Sequence, residues 1–298
     1  MSCSNSNSPV DIQFSKISGK CDMKCDYKFN YSSSSCIATH QSSFISLSYD
    51  SPSVSPVIYN SIKYNVSKVK LYSPSLHTFA GNQAAAELII EHTSTQGTNP
   101  LYVCVPISKR DVNSDVSSVL NKIINGVSQN APSDGETTTI SIDNFNLNTF
   151  VPFKPFFSYT ANNFSVPCDQ KVDFIVFNIT NNESINIKQE DLTKLTELIG
   201  PSGINSVDGT PYFLNPKGPG IPGDGGDDIY IDCKPIDKSE EETTIIHDSD
   251  NQSSEFDFES MISNPIFQIL VGSLIFVLLL FLVKLGIDKI YEQSAQFS

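Results

Sequence analysis

The chain has 298 residues, of which 39% are hydrophobic and 10% aromatic, so it can bury one sizeable core or two small ones. Acidic residues outnumber basic ones by 33 to 19, which gives a formal net charge of -14. This balance makes the chain a poor candidate for a general polyanion binder, and we expect no nucleic-acid partner.

The first fourteen residues, MSCSNSNSPVDIQF, contain neither a basic leader nor an apolar segment, and so predict no secretory signal peptide. From residue 8 to residue 180, short β-like runs alternate with serine, asparagine, proline and glycine. The runs are FISLSY, SPVIYN, IKYNVSKVKLY, AELIIEH, LYVCVPI and VDFIVFNI.

Two segments have helical spacing instead. DVSSVLNKIINGV places its apolar residues on one face, and KQEDLTKLTELIG ends on Gly200, where a helix C-cap would stand. Many strands with few helices predict an α+β, predominantly β fold rather than a βαβ repeat.

The composition changes after Pro216, where the turn-rich PKGPGIPGDGGDD leads into an acidic segment with few core residues. Such a segment cannot offset its ordering entropy, so we predict a flexible stalk over 223–264 after a folded domain at 1–222. Residues 265–283 carry no charge, and at about 1.5 Å of rise per residue they match a bilayer core of about 30 Å. This run predicts a transmembrane helix, followed by a short tail at 284–298.

A domain ahead of a C-terminal span is the arrangement of tail-anchored proteins, whose domain begins in the cytosol. Lys284 and Lys289 follow the predicted span and acids precede it, which by the positive-inside rule predicts the domain on the outer face. These two indications conflict for an ordinary cellular protein.

The cysteines number seven, which is odd. Cys21 and Cys25 form CDMKC, a possible start of a zinc knuckle, yet no second pair of suitable spacing follows. A disulfide or free thiols are therefore the expected states of this pair. Cys233, in the predicted stalk, is a candidate for linking two chains into a homo-oligomer.

Several segments resemble those of α-carbonic anhydrases, in the correct order. SPVDI at 8–12 is similar to the family's QSPIDI, SLHTF at 75–79 to SEHT, and AAAELIIEH at 84–92 to AAELHLVH. Downstream, VPFKPFFSYT resembles LPxxxxYxxY, NNFSVPCDQKVDFIVF resembles SLTTPPCxExVxWIVF, and INIKQEDLTKLTELI resembles PIxISxEQLxxF. The resemblance covers about residues 8–200 and implies a large central, mostly antiparallel sheet.

In that family zinc is held by two histidines in H-x-H spacing on one strand and by a third on the AELHLVH strand. Alternate side chains of a strand share a face, so both imidazoles of H-x-H reach one metal. The resemblance places Lys70 and Tyr72 at the H-x-H positions, Ile89 at the third, and Phe164 at the family's oxygen-orienting threonine. The first three are not ordinary zinc ligands, so we predict no metal, no cofactor and no enzymatic activity.

Glu87, His77, His92 and Tyr159 match a polar network that the family keeps around its zinc. We expect both histidines to be hydrogen-bonded core or edge residues rather than ligands of a relocated metal. The alternative is a substitute metal site formed by Glu87, Glu91 and His92.

The resemblance also implies a disulfide between Cys3 and Cys168, which secreted and membrane-bound members form. This bond would close a loop of more than 150 residues. It would imply an oxidising location or a dedicated oxidation system.

The arrangement as a whole resembles carbonic-anhydrase-like envelope proteins of poxviruses, which bind cell-surface glycosaminoglycan. It implies a viral attachment protein in the virion envelope, with the N-terminal domain outside and a short tail inside. Membranes acquired in the cytoplasm can display such a domain outward, which reconciles the two topology indications. The candidate glycan-binding cations are Lys68, Lys70, Lys109, Arg110 and Lys154, and the alternative is that they are solvated surface charges.

Other interpretations stay open at this point. A different glycan or a protein receptor would serve attachment equally well. An active, membrane-anchored zinc carbonic anhydrase that hydrates CO₂ is the alternative from another class, and a structural virion membrane protein is a third. Metal content separates the active zinc enzyme from the other two interpretations. Bound glycan separates the attachment protein from the structural virion protein.

Overall fold

The computed structural model describes residues 3, 6–21, 24–179 and 185–222. Their strands are β1 (Asp11–Ile12), β2 (Gly19–Lys20), β3 (Tyr27–Phe29), β4 (Cys36–Gln41), β5 (Phe44–Leu47), β6 (Val57–Tyr59), β7 (Ile62–Tyr72), β8 (Thr78–Phe79), β9 (Asn82–Gln83), β10 (Ala86–Ser94), β11 (Leu101–Lys109), β12 (Thr137–Ile140), β13 (Phe156–Asn162), β14 (Lys171–Phe177), β15 (Asn186–Ile187) and β16 (Phe213–Asn215). Their helices are α1 (Asp115–Asn130), α2 (Gln189–Leu198) and two 3-10 turns, Phe14–Lys16 and Leu147–Thr149.

The predicted stalk, transmembrane helix and tail lie outside the described residues. Within the described ranges, no helix is both long enough and apolar enough to cross a membrane. The chain divides into two units between Ile229 and Tyr230, and the first unit contains everything described below.

One large sheet organises the first unit, with the strand order β12-β4-β5-β7-β10-β11-β14-β13-β16-β2. Strand β6 joins β3 to β7, and β15 pairs with β11. Most neighbours are antiparallel, whereas β11 runs parallel to β14 and β15, and β16 runs parallel to β2. The prediction of a predominantly β, α+β fold built on a large, mostly antiparallel sheet is confirmed.

The sheet separates two hydrophobic cores, because alternate side chains leave a strand on opposite faces. In the central strand β11, Val103 and Val105 belong to a core that includes the buried face of α1, which we call the helix-side core. Tyr102 and Cys104 belong to the other core, which we call the site-side core. Both faces of β11 are covered, which explains its almost continuous apolar sequence.

Helix α1 begins with a capping box, in which the Ser114 side chain accepts the Ser117 N–H and the Ser117 side chain accepts that of Ser114. Its apolar face packs on the sheet, and Gly126 lies so close to β12 that a Cβ at this position would be 2.4 Å from Cδ1 of Ile140, so the isoleucine side chain would have to move.

The second predicted helix, α2, ends at Leu198. Ile199 is already extended, with φ -116° and ψ 136°. Gly200 is not among the residues with positive φ, and its N–H donates to the Ser42 carbonyl at 2.9 Å. The expectation that Gly200 acts as a C-cap was therefore wrong, because the chain leaves the helix one residue earlier to pair with another loop.

Candidate functional site

Strands β7, β10 and β11 bring the predicted metal positions together on one face of the sheet. Lys70 pairs with Ile89, and Tyr72 pairs with Glu87 on β10. Ile89 pairs in turn with Cys104 on β11. Tyr72, Ile89 and Cys104 all belong to the site-side core. Lys70 and Tyr72, two alternate residues of β7, therefore lie on the same face as Ile89 of the neighbouring β10. Three ligands of one metal require such an arrangement.

An ion pair occupies the first of these positions. Lys70 Nζ lies 2.5 Å from Glu91 Oε1, and both side chains are only 11% exposed. Glu91 Oε1 has no hydrogen-bond partner among the described residues, so the contact is an ion pair without directed hydrogen-bond geometry. The ammonium also lies 5.4 Å from the centroid of the Phe44 ring, within the range of a cation–π interaction.

The other two positions are filled by buried side chains. Burial, with the charge of Glu91 as the next cause, raises the pKa of Tyr72, so the phenol is neutral at physiological pH. Ile89 is fully buried. Phe164, also buried, lies 5.9 Å from the Tyr102 ring, centroid to centroid. An ion-paired ammonium, a neutral phenol and an alkyl chain do not fit a zinc ion, because they offer no thiolate, imidazole or free carboxylate between them.

A buried polar network stands directly beside these residues. Glu87 Oε2 accepts the backbone N–H groups of Leu76 and His77, at 2.7 and 3.1 Å. Glu87 Oε1 lies 2.7 Å from His77 Nδ1, and His77 Nε2 lies 2.7 Å from the Tyr159 hydroxyl. If Nδ1–H donates to the carboxylate, the tyrosine O–H donates to Nε2, and every polar atom of the network is satisfied.

His77, Glu87 and Cys104 form the metal-capable cluster of the described residues, with one ligand atom from each within 4.8 Å of the others. The hydrogen bonds above already use both nitrogens of His77 and both oxygens of Glu87. Burial raises the pKa of the Cys104 thiol well above its ordinary value, so the thiolate that a metal needs is disfavoured. The cluster is a hydrogen-bonded scaffold whose donor atoms are already engaged with one another and with the backbone.

His92 lies on the opposite face of β10 from Glu87 and Glu91. Its Nδ1 donates to the Leu101 carbonyl at 3.1 Å, and its Nε2 lies 3.0 Å from the hydroxyl of Tyr31 in the helix-side core. Burial lowers the pKa of His92 to about 4. The structure therefore does not bring together the alternative metal site of Glu87, Glu91 and His92, because strand alternation separates the histidine from both carboxylates.

The five candidate cations do not form one cluster. Lys68 is exposed on β7, two residues before the ion-paired Lys70. Lys109 ends β11, five residues from the level of Lys70, which is about 17 Å along the strand. Arg110 follows it, with its N–H donating to the Ile187 carbonyl at 3.0 Å. Lys154 precedes β13, and the fold brings it close to lysines that sequence reasoning missed.

Those lysines are Lys28 and Lys217. A Cβ on Gly218 would lie 2.8 Å from the Lys154 carbonyl oxygen, and one on Gly220 would lie 3.3 Å from Cγ of Lys28. Three chain segments thus meet at one corner of the domain. No sequence signal marks this juxtaposition, because the lysines stand singly and more than 60 residues separate Lys154 from either of the others.

The charge of the domain differs from that of the chain. Residues 1–222 carry 15 lysine and arginine residues against 18 acids, whereas residues 223–298 carry 4 against 15. The domain is therefore close to neutral, and most of the net charge belongs to the C-terminal segment. The low overall pI does not argue against anionic ligands of the domain itself.

Two disulfides lie within the described residues. Cys3 and Cys168 are bonded, with a Cα–Cα distance of 5.5 Å, which confirms the pairing that the resemblance implied. Cys21 and Cys25 are bonded to each other, so CDMKC is a disulfide loop and not a zinc knuckle. Of the other described cysteines, Cys36 and Cys104 are free and buried.

Comparisons with known proteins identify the fold. A carbonic anhydrase from an active hydrothermal vent chimney matches with a TM-score of 0.55 and 24% identity, over 69% of this chain and 84% of that one. The α-carbonic anhydrase of Thermovibrio ammonificans, in complex with sulfanilamide, matches with a TM-score of 0.58 and 16% identity, over 71% and 87%. Dioscorin in complex with ascorbate matches with a TM-score of 0.57 and 12% identity, over 72% and 87%.

No family model matches the chain, and no curated protein sequence matches it. The structural likenesses establish an α-carbonic-anhydrase-like fold for this protein. At these identities they establish the fold alone, and the activity has to be argued from the site.

Proposed function

We propose that this protein is a zinc-free, carbonic-anhydrase-like binding protein rather than an enzyme. The observation that carries the proposal is the set of side chains at the three metal positions, where Lys70, Tyr72 and Ile89 offer no zinc-binding donor. The catalysis of the family rests on a zinc-bound water, which these residues cannot hold. The fold itself is compatible with functions other than CO₂ hydration, since one matched structure is dioscorin in complex with ascorbate.

The site is also closed by packing. Tyr72 is 3% exposed, and Ile89 and Phe164 are at or near zero, so apolar atoms fill the space beside the polar network. The retained hydrogen bonds between Glu87, His77 and Tyr159 connect β10 with the segment before β8 and with β13. We assign them a role in stabilising the domain, because none of these groups is exposed to a substrate.

For the ligand, we propose a cell-surface glycan, bound by the domain on the outer face of a virion envelope during attachment. The near-neutral charge of residues 1–222 and the exposure of Lys68, Lys109 and Lys154 support an anionic sugar. A sulfate group would accept charge-assisted hydrogen bonds from these cations, and the interaction would weaken with salt.

Zinc content and the rate of CO₂ hydration test the first part of the proposal. We expect purified residues 1–229 to be folded, metal-free and inactive after incubation with zinc, beside an active α-carbonic anhydrase as the positive control. Stoichiometric zinc with hydration activity would make this chain an enzyme and overturn the assignment of the three positions.

A glycan array tests the second part. We expect binding to sulfated glycans that decreases with salt, and a further decrease in the Lys68→Gln/Lys109→Gln variant. Lys122→Gln/Lys171→Gln removes the same charge from two other exposed positions and serves as the matched control. An array without sulfated or other glycan hits would leave a protein receptor or a structural role in the virion as the function.

A further inference from the structure

The corner at which Lys28, Lys154 and Lys217 meet also contains two exposed apolar side chains, Phe153 and Ile221. We call these five residues the basic corner. The φ of +75° at Gly218, together with its close approach to the Lys154 backbone, allows the last described segment to run against the turn before β13. Lys28 and Gly220 form a parallel β-bridge, which fixes the third segment in place.

Charge accumulates around this corner. The segments 19–29, 152–156 and 213–222 contain five lysines and two acids, Asp22 and Asp26. Asp26 Oδ2 lies 3.4 Å from Lys28 Nζ, at the surface, where such a pair contributes little. Lys154 and Lys217 are exposed, as are Lys20 and Lys24 beside them.

The apolar residues stand among these charges. Phe153 is 54% exposed, and its ring stacks on that of Phe29, with centroids 4.8 Å apart. Ile221 is 45% exposed and follows Gly220, whose carbonyl accepts the Phe29 N–H at 3.1 Å. Phe29 itself is buried, so the exposed ring of Phe153 rests on a fixed core residue. A rigid aromatic ring and an aliphatic chain framed by lysines indicate a contact surface rather than scattered exposed residues.

We propose that the basic corner binds the surface of an anionic lipid bilayer. Lysine ammonium groups attract the phosphate and carboxylate of anionic headgroups, and Phe153 and Ile221 would enter the boundary between headgroups and acyl chains. A soluble sulfated polymer would use the lysines but not the two apolar side chains. This proposal does not depend on the absence of zinc or on glycan binding.

Vesicle binding by residues 1–229 tests the proposal. This part contains both hydrophobic cores and both described disulfides, and it is one compact unit, so we expect it to fold without the rest of the chain. We expect co-sedimentation with phosphatidylcholine vesicles that contain phosphatidylserine, weakening at high salt, and none with phosphatidylcholine alone. The Lys154→Gln/Lys217→Gln variant should bind about 25-fold more weakly, from about fivefold per lysine near the surface.

Lys122→Gln/Lys171→Gln is the matched control. Lys171 pairs with Asn162 at the far end of β13, six residues or about 20 Å along the strand from Phe156, and this variant should bind like the native domain. Equal loss in both double variants would show that net charge alone, and not this corner, is responsible.

Fluorescence distinguishes insertion from simple charge attraction. The chain has no tryptophan, so Phe153→Trp introduces a single reporter at the corner. We expect its emission to shift to the blue with phosphatidylserine vesicles and to be quenched by brominated lipid. The emission of a Val166→Trp variant, on the exposed loop after β13, should not change. Unchanged emission from the Phe153→Trp variant, or binding to dextran sulfate without any binding to vesicles, would overturn the lipid assignment.

Discussion

Lys70 and Glu91 lie on neighbouring strands, displaced by two residues from direct pairing, and their charged atoms are 2.5 Å apart on the face of the sheet that also carries Ile89 and the buried Glu87. The ammonium thus stands where the resemblance places a metal ligand, with a carboxylate of this chain as its counter-ion.

Removing one member of this pair should destabilise the domain more than removing both. Lys70→Met leaves Glu91 as a mostly buried, unpaired anion, and we expect a loss of about 3 kcal/mol in the free energy of unfolding. Lys70→Met/Glu91→Leu should recover most of that loss, because no charge is left without a partner. Urea denaturation of the three proteins measures the difference, and a Lys70→Met variant of native stability would show that solvent screens the pair.

Three histidines should restore a metal site if the register assigns the positions correctly. Lys70→His/Tyr72→His/Ile89→His places three imidazoles on one face, two on alternate residues of β7 and one opposite on β10. We expect one zinc per chain by metal analysis, against none for the single Ile89→His control. A folded triple variant without zinc would mean that the family's ligand positions lie elsewhere in this chain.

The buried carboxylate of Glu87 should be necessary for stability. One carboxylate oxygen accepts two backbone N–H groups, and the other faces His77 Nδ1. In Glu87→Gln an amide NH₂ replaces one of these oxygens, so an N–H donor of the glutamine would face another N–H donor. We expect a loss of about 3 kcal/mol, since hydrogen bonds to charged groups exceed neutral ones. Glu197→Gln, at an exposed position of α2, should change stability by less than about 0.5 kcal/mol. Similar thermal melting of the two variants would contradict the role given to this network.

His92 should make the domain sensitive to mild acid. Its pKa is about 4 when folded, against an ordinary value of 6.5, because burial disfavours the charged ring. Between these values the unfolded chain binds a proton that the folded domain does not, so stability falls as the pH drops from about 6.5 to about 4. The full effect is about 3 kcal/mol. Unfolding free energies of native protein and His92→Gln, compared across this window, should converge at low pH; parallel curves would contradict the assignment.

The two disulfides should differ in what they contribute. Cys3 and Cys168 are 165 residues apart, and in the chain-entropy model their bond contributes about 5 kcal/mol. Cys21 and Cys25 are 4 apart, which gives about 2 kcal/mol. Urea midpoints of the paired serine variants should therefore fall much further for Cys3→Ser/Cys168→Ser. Equal midpoints would show that strain in the native state or residual structure in the unfolded chain outweighs the difference in loop-closure entropy.

The strands and helices were accessible from the sequence because their periodicity is a local property. Strand β7 was predicted with its observed bounds, and α1 was predicted from its first residue. The ion pair between Lys70 and Glu91 was not foreseen, because it requires the register of two strands and not only their existence.

The basic corner could not be predicted from the sequence for a related reason. Lys28, Lys154 and Lys217 are single lysines in three segments, and only the folded chain places them side by side. The state of Cys21 and Cys25 stayed open because four residues of separation are compatible with a disulfide, free thiols or half of a metal site.

The bond between Cys3 and Cys168 also constrains the order of events during synthesis. At about 5 to 20 residues per second, Cys168 follows Cys3 by roughly 8 to 33 seconds. In that interval the thiols of Cys21, Cys25, Cys36 and Cys104 are made first, and each is a competing partner for Cys3. A cell that oxidises thiols as they appear would trap wrong pairs, so the native connectivity depends on late oxidation or on reshuffling once β13 and β14 have formed.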